Sequence, residues 1–401
     1  MTVIERLNDQ AITARLRRRN TAPHAAGTIG RKRCAFSASL ANGCGHREQE
    51  QMSGLISTDG ASGKLLIIQP LVGIGDMIWH KPWIDYLCGK NSVVLATKPT
   101  VQAPVLFAAT EGLVDILPIE RSQRGKRGRH DGWQGFWRLV ADFRSTGAER
   151  ALILHHSPRY ALAAWFAGIP SRWGYGIRRQ RLWLNKGQFL DKTARKMHPI
   201  AKMQRYAGLN DFAIDPIWQI NVTQPASKAA DEFIAKQGIN AASDMLILGI
   251  GAMDEERCWP LEKFAELIIL LAARRPQMIC CLMGAPSEQP LVDQILDRLP
   301  PHIKAVNAIT KLDLGIALLA RAAGFVGNDS GLLNLAAACG RPALGIYAQS
   351  RPLDYTPNLH AVAVDKSRLG KSGQIKTIAA ADVCTAALNM LDSAPAPSVS
   401  A

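Results

Sequence analysis

The chain has 401 residues, of which 47% are hydrophobic, and a formal net charge of +15 at pH 7. That length and apolar content are enough for two cores of ordinary domain size. No apolar run reaches the ~18 to 20 residues that a membrane-spanning helix needs, and the first residues contain no apolar signal-peptide core. The eight cysteines include no C-x-x-C pair, which favours reduced core thiols in a cytoplasmic protein.

The two ends of the chain differ in composition from the rest. Residues 1–51 are rich in Arg, Ala, Ser and Gly and have no lasting periodicity. We predict a disordered basic leader over 1–62, with Met52 as a candidate for the true start; a membrane or targeting segment is the alternative. Residues 393–401, in which Ala, Pro and Ser alternate, are predicted to form a disordered tail.

Between the ends, short apolar strands alternate with helical patterns, which is typical of parallel sheets covered by helices on both faces. A first series of strands is predicted at Leu65–Gln69, Val93–Thr97, Asp115–Pro118 and Ala151–His155. A second series is predicted at Met245–Ile250, Met278–Met283, Gly324–Val326 and Ala343–Tyr347. We therefore predict an α/β protein with two Rossmann-like domains, 63–220 and 221–392, whose parallel sheets face a central cleft.

A glycine-rich turn, Gly73-Ile-Gly-Asp76, follows the first predicted strand and precedes a helical pattern from Met77 to Leu87. It departs from a dinucleotide-binding fingerprint, because Ile78 stands where the third glycine would be and the next strand ends near Lys98 rather than an acidic residue. The carboxylate of Asp76 is instead placed at the mouth of the sheet, where it could take a proton from a hydroxyl. A helix N-cap role is the alternative.

A second glycine-rich turn, Gly327-Asn-Asp-Ser-Gly-Leu332, follows an apolar run and precedes a helical pattern from Leu333 to Cys339. We expect Ser330 at the helix cap. Backbone N–H groups and the positive end of the helix dipole would then point at one place and form an anion site. The alternative is a turn that only starts a core helix.

Two further motifs lie between these turns: Gly251-Ala-Met-Asp-Glu-Glu-Arg-Cys-Trp-Pro260 and Gly284-Ala-Pro-Ser-Glu288. Together and in this order, the four motifs resemble glycosyltransferase family 9, whose best-known members are the lipopolysaccharide heptosyltransferases. The resemblance runs from about Lys64 to Leu391. It implies a GT-B fold and inverting transfer of a sugar, usually heptose from ADP-heptose, to a core saccharide on lipid A, without a metal or another cofactor.

The resemblance also implies a role for each matching residue. Asp76 matches the base that deprotonates the acceptor, and Arg257 matches the cation that meets the donor diphosphate. Glu288 matches a contact to the nucleotide ribose, and Asp329 matches a carboxylate that faces the donor sugar. The phosphate oxygens would be held by the backbone N–H groups of Ser330, Gly331 and Leu332.

The chain departs from the family pattern at three positions. Asn334 stands where the family commonly has a histidine, and Ala252 and Met253 stand where threonines are common. The chain contains no D-x-D sequence, which argues against a metal-clamped diphosphate. These departures leave the expected class of donor, a nucleoside diphosphate sugar, unchanged, but they leave the identity of the sugar open.

Basic residues are concentrated in one stretch. Residues 121–196 contain 17 lysines and arginines against four acidic residues, a net of +13. We interpret this stretch as the side that faces an anionic lipid-linked saccharide at the inner face of the cytoplasmic membrane; a solvated basic face is the alternative. His155 could line the same cleft or be a satisfied core histidine. The basic residues singled out are Arg124, Lys126, Arg127 and Arg129.

Two other classes of function stay open at this point. Binding of nucleic acid is suggested by the pI of about 9.6 and by aromatic residues between arginines near Trp173 and Tyr175, but no nucleic-acid motif accompanies them, and we expect no nucleic-acid partner. A nucleotide-sugar protein that binds or epimerises its ligand without transfer is the other alternative. Asp76 favours transfer.

Overall fold

The computed structural model describes residues 55, 63–122, 127–210, 212–239 and 244–393. The predicted leader and tail lie outside these ranges apart from Leu55 and Ser393, and so do Arg124 and Lys126. No helix among the described residues combines the length and the apolar character needed to cross a membrane.

The first half of the chain forms a five-stranded parallel sheet in the order β3-β2-β1-β4-β5. The central strand β1 is buried over nearly its whole length and pairs with β2 on one side and β4 on the other. The elements are β1 (Lys64–Gln69), α1 (Ile74–Cys88), β2 (Val93–Thr97), α2 (Ala103–Leu106), β3 (Leu113–Pro118), α3 (Gly132–Ser145), β4 (Ala148–Ile153), α4 (Pro158–Phe166), β5 (Ser171–Gly174) and α5 (Pro199–Leu209).

The second half forms a six-stranded parallel sheet in the order β11-β10-β9-β6-β7-β8. Strands β6 and β9 are buried at every position, and helices cover the sheet. The elements are α6 (Gln224–Lys236), β6 (Met245–Gly249), α7 (Leu261–Arg274), β7 (Ile279–Met283), α8 (Gln289–Leu296), β8 (Ala305–Asn307), α9 (Leu312–Arg321), β9 (Gly324–Asn328), α10 (Gly331–Ala338), β10 (Ala343–Tyr347), β11 (Leu359–Ala363) and α11 (Ala380–Ser393).

The predicted α/β class with two parallel sheets is confirmed, and each of the eight predicted strands is a strand in the structure. The sequence missed β5, β8 and β11. The first two have only four and three residues, and β11 is only partly buried; all three lie at sheet edges, where less side chain is buried and the apolar signal is weak. The domain limit at 220/221 stays a prediction; the two sheets lie on either side of it.

The two halves meet where the first turns of α1 and α10 lie against each other. A Cβ built on Gly331 would be 3.2 Å from the Cβ of Ile74, and a Cβ on Gly75 would be 3.2 Å from Nδ2 of Asn334. Glycine at both positions therefore lets the helix starts approach closely. As a result, the turns that follow β1 and β9 face the same region.

Candidate active site

Asp76 lies in the first turn of α1, directly after the glycine-rich turn that follows β1. Its Oδ2 accepts the backbone N–H of Gly73 at 3.0 Å, so the side chain caps the helix. Burial raises the pKa of Asp76, while the Gly73 hydrogen bond and the charge of Arg257 oppose the rise. The N-cap alternative is wrong as stated, because Gly73 is the N-cap residue and Asp76 is the third residue of the helix, from which its carboxylate accepts the Gly73 N–H. This contact does not compete with a chemical role, because a raised pKa strengthens a carboxylate as a base.

Behind Asp76, a buried polar chain fixes the backbone of α1. Nδ1 of His80 is 2.8 Å from the carbonyl oxygen of Asp76, so this nitrogen carries the proton and donates it. Burial lowers the pKa of His80 to about 4 and keeps the ring neutral. Nε2 of Gln69 donates to the same carbonyl at 3.3 Å, and the Tyr175 hydroxyl is 3.4 Å from Nε2 of His80. This support was not anticipated from the sequence.

The turn after β9 has the predicted position, with a difference in its cap. Ser330 is the N-cap residue of α10, but its hydroxyl does not cap the helix. Its Oγ is buried and makes no hydrogen bond within the described part of the chain. Asn328 stabilises the turn. Its side-chain oxygen accepts the backbone N–H of Trp259 at 2.9 Å, and its side-chain nitrogen donates to the Ile250 carbonyl at 2.6 Å. The loop that carries Arg257 is held against the start of α10 in this way.

Arg257 and Asp329 form an ion pair, with Nη1 3.2 Å from Oδ2. The Ser350 hydroxyl donates to the same carboxylate oxygen. Nε of Arg257 is buried and has no hydrogen-bond partner among the described residues, although the side chain as a whole is partly exposed. Part of the guanidinium fork therefore remains for an anionic ligand.

Glu288 lies at the carboxyl ends of β6 and β7. Its carboxylate accepts the N–H of Ala285 at 2.6 Å and lies directly against Gly251 and Gly284. A Cβ on Gly251 would overlap the Glu288 carboxylate, so the glycine makes room for the acid. Glu288 therefore lies beside the loop that leads to Arg257. The predicted contact between Glu288 and the ribose stays a prediction.

Asn334 joins the two halves of the molecule. It is 2% exposed, and its Oδ1 accepts both the Trp79 indole N–H at 2.8 Å and the Tyr355 hydroxyl at 2.6 Å. Its Nδ2 donates to the Ser330 carbonyl at 2.9 Å. A neutral histidine has one acceptor nitrogen and could not take both donors, so the departure noted from the sequence matches the partners that this chain supplies.

A cavity of about 1250 Å³ opens beside this network and takes its walls from both halves of the molecule. Trp79 and His198 line it from the first half, and Arg257, Asp329 and Tyr355 line it from the second. Asp76, Glu288 and Ser330 are not among its lining residues. The volume exceeds that of a typical small-ligand pocket, roughly 300–1,000 Å³, and accommodates a ligand of nucleotide-sugar size.

Several residues of this cavity were missed by the sequence reasoning. Trp79 follows Asp76 by one helical turn, and Ser350 follows the carboxyl end of β10; both positions are signals that could have found them. His198 is the N-cap residue that precedes α5, and it has no comparable signal. Its ring contacts Trp79 with centroids 4.3 Å apart, and burial lowers its pKa.

Some of the residues predicted for the acceptor side already form contacts within the protein. Arg129 pairs with Asp142, with Nη2 2.9 Å from Oδ1, whereas Arg127 is exposed. Nδ1 of His155 accepts the Ser157 N–H at 3.0 Å, and burial lowers the pKa of His155 to about 3. These contacts favour the core-histidine alternative for His155. The acceptor role of this set stays a prediction.

The model of one family matches residues 136–377, more than half of the chain, under the description glycosyltransferase family 9 (heptosyltransferase). The chain belongs to glycosyltransferase family 9. It is 29% identical to lipopolysaccharide heptosyltransferase 2 of Escherichia coli K12 over 239 residues, which are 55% of this chain and 66% of that relative. The match therefore spans slightly less than two thirds of the relative's length.

Other similarities to this family 9 chain extend further along it. Lipooligosaccharide heptosyltransferase 2 of Haemophilus ducreyi is 28% identical over 334 residues, 75% of this chain and 87% of that protein. A family 9 glycosyltransferase from Veillonella parvula superposes with a TM-score of 0.67 at 18% identity, covering 84% of this chain and 99% of its own. The E. coli ADP-heptose lipopolysaccharide heptosyltransferase II gives 0.63 at 21%, covering 82% and 98%. The predicted GT-B fold is confirmed.

Proposed function

We propose that this family 9 chain transfers a sugar from a nucleoside diphosphate donor to a lipopolysaccharide core or related surface glycan, with heptose from ADP-heptose as the first donor to test. The observation that carries the proposal is the contact between the first turns of α1 and α10, because Asp76 lies in the first of these turns and the Asp329 that pairs with Arg257 directly precedes the second. The Arg257 charge opposes the burial that raises the Asp76 pKa. This arrangement supports Asp76 as the base and Arg257 as the cation that binds the diphosphate.

The chemistry that fits these groups is an inverting displacement. Asp76 takes the proton of an acceptor hydroxyl. The oxygen of that hydroxyl attacks the anomeric carbon of the donor sugar from the face opposite the diphosphate. The bond from that carbon to the diphosphate oxygen breaks, and the nucleoside diphosphate leaves with the bonding electrons. Arg257 and the N-terminus of α10 stabilise the negative charge that develops on the leaving oxygen.

Further residues are proposed to bind the donor. The Glu288 carboxylate would accept a ribose hydroxyl, and Asp329, oriented by Arg257 and Ser350, would accept a hydroxyl of the sugar. The buried Ser330 hydroxyl, which has no hydrogen-bond partner in the part of the chain that the structure describes, would donate to a phosphate oxygen together with the N–H groups of Gly331 and Leu332. We propose that no metal takes part, because cationic and N–H donors can offset the diphosphate charge.

We further propose that the enzyme works in the cytoplasm, at the inner face of the cytoplasmic membrane, because its acceptor is lipid-linked. The relatives named above are lipopolysaccharide and lipooligosaccharide heptosyltransferases, which supports an acceptor of this kind. The net charge of +13 over residues 121–196 suits an anionic acceptor and an anionic surface. Nucleic acid is not a proposed partner.

The test is a transfer assay with a panel of nucleotide sugars and a core acceptor that lacks the added sugar. Formation of a glycosylated acceptor with an inverted anomeric centre, unchanged by EDTA, supports the proposal. Activity that EDTA abolishes and Mg²⁺ or Mn²⁺ restores overturns the metal-free step. Conversion of the donor without acceptor identifies an epimerising protein instead.

A further inference from the structure

A continuous group of aromatic rings, four of them exposed and one half-buried, lies on one side of the first half of the protein. Its members, which we call the aromatic patch, are Trp133, Trp137, Trp165, Phe166 and Trp183. Neighbouring ring centroids are 5.5 Å apart for Trp133 and Trp137, 5.0 Å for Trp137 and Phe166, 4.7 Å for Phe166 and Trp165, and 5.2 Å for Trp165 and Trp183.

Most of the patch is exposed, and only Trp183 is half-buried against the core. Trp133 is 73% exposed, Trp137 is 40% exposed and Trp165 is 44% exposed, and Leu182 beside Trp183 is 74% exposed. Helix α3 buries its other face through residues such as Phe136. The exposed tryptophans are therefore not required to complete the core, and a contiguous apolar patch of this kind marks an interaction surface.

Two arginines stabilise the relative position of the helices that carry the patch. Arg144 of α3 donates to the Phe166 carbonyl at 2.7 Å, and Arg159 of α4 donates to the His130 carbonyl at 2.7 Å, just before α3 begins. The guanidinium of Arg159 also lies over the Phe136 ring, 5.2 Å from its centroid. The aromatic rings are thus presented on two helices that are tied to each other.

The surroundings of the patch are basic. Arg138 follows Trp137 on the exposed side of α3, and Arg179 and Arg181 precede Leu182 in the short turn that ends at Trp183. Asp142, the acidic residue of α3, is already paired with Arg129 and with buried His130. An apolar aromatic surface with a positive rim complements a bilayer with anionic headgroups, because tryptophan favours the membrane interface and arginine favours the phosphates.

We propose that the aromatic patch is a membrane-docking surface that inserts at the headgroup level of an anionic bilayer. It deepens the proposed function, on which it rests for the lipid-linked acceptor, and it assigns the contact to α3, α4 and the turn 178–183. Arg129, singled out from the sequence for this contact, has much of its charge neutralised by Asp142. The rings of the aromatic patch insert among the lipid headgroups. The charges of Arg138, Arg179 and Arg181 attract the protein to the anionic surface.

The experiment measures binding of the full chain to vesicles that contain no donor or acceptor. Vesicles of phosphatidylcholine alone are compared with vesicles of phosphatidylcholine and phosphatidylglycerol by co-sedimentation. Lipids brominated in the acyl chain report insertion by quenching tryptophan fluorescence. We expect binding to the anionic vesicles, quenching by the brominated lipid and a loss of binding at high salt.

The variants separate insertion from charge. Trp133→Ser with Trp165→Ser should weaken binding to anionic vesicles about tenfold or more and reduce the quenching, since the exposed apolar area is lost. Trp133→Phe should bind nearly as well as the unchanged protein. Val114→Ser removes an apolar side chain that is 54% exposed on β3, outside the patch, and should not change binding.

Three outcomes overturn the inference. They are equal vesicle binding by the double serine variant, no quenching by brominated lipid, and a dimer of the unchanged protein that dissociates in the variant, which would assign the patch to a second copy of the chain. Circular dichroism and the donor-induced thermal shift of the double variant show whether its fold and donor site are intact. The proposed transfer can fail in its own assay while vesicle binding succeeds, so the two failures are distinguishable.

Discussion

The indole N–H of Trp79 donates to the Oδ1 of Asn334 at 2.8 Å, across 255 positions of sequence. Trp79 lies on α1 and Asn334 on α10, so this hydrogen bond ties the helix that carries Asp76 to the helix that begins at the proposed phosphate site. The Tyr355 hydroxyl donates to the same oxygen. The relative position of the proposed base and the proposed phosphate site therefore depends in part on one amide side chain.

Replacing Asn334 should loosen this junction. Asn334→Ala leaves two donors without their acceptor, at a cost of about 1–3 kcal/mol, and should lower Tm by a few degrees. Hydrogen exchange should rise in the first turns of α1 and α10. Asn334→His, which can accept from only one of Trp79 and Tyr355, should give an intermediate effect. Unchanged exchange in both helices of the alanine variant would refute the linking role.

Asp76→Asn tests the base. The amide oxygen can still accept the Gly73 N–H, so we expect a normal fold and normal donor binding. Turnover should fall by roughly 10² to 10⁴, the usual contribution of a general base. Asp382→Asn, which changes an exposed acid in the first turn of α11, controls for the loss of a charge near a helix start and should keep full activity. Turnover near the unchanged level in Asp76→Asn would show that another group takes the proton.

Arg257→Ala tests the cation. A charge-assisted hydrogen bond contributes ~1.5–3 kcal/mol, which corresponds to a roughly 10- to 150-fold increase in the Kd for the nucleoside diphosphate. Arg257→Lys retains the charge without the planar fork and should lose less. Calorimetric titration with ADP and with other nucleoside diphosphates measures the effect. An unchanged Kd in the alanine variant would remove Arg257 from the diphosphate site.

Arg257→Ala should also change the pH dependence of kcat/KM. The positive charge of Arg257 lowers the Asp76 pKa against the larger effect of burial, so its removal should raise that pKa. A base is active when deprotonated, and activity falls as the pH drops through its pKa. The acid limb of kcat/KM should therefore move to higher pH in Arg257→Ala and less so in Arg257→Lys. A limb that moves to lower pH, or not at all, would contradict the coupling.

His80 should make stability depend on pH. Its pKa is about 4 in the folded protein because of burial, against about 6.5 in an unfolded chain. Between these values the unfolded state binds more protons, so stability decreases as pH falls from 6.5 towards 4, by about 3 kcal/mol in total. In His80→Gln this component should be absent, because glutamine can donate to the Asp76 carbonyl and does not titrate. Parallel Tm curves against pH for the two proteins would contradict this account.

The sequence by itself determined the class of fold and the two turns of the site. The central strands are continuous apolar runs, and Gly73–Asp76 and Gly327–Leu332 are local patterns that keep their meaning without the rest of the chain. Since parallel strands place their carboxyl ends at one edge of a sheet, the position of Asp76 and of Ser330 at such edges followed as well. Three of the four edge strands, β5, β8 and β11, were missed because they are short or bury little.

Only the tertiary structure decided how the site is held together. Arg257 pairs with Asp329 over 72 positions, and Asn334 takes its donors from α1 and from the segment after β10. The buried chain through His80 and the aromatic patch likewise join segments that are far apart in sequence. Which donor meets which acceptor depends on close packing in three dimensions, and periodicity along the chain has no information about such pairs.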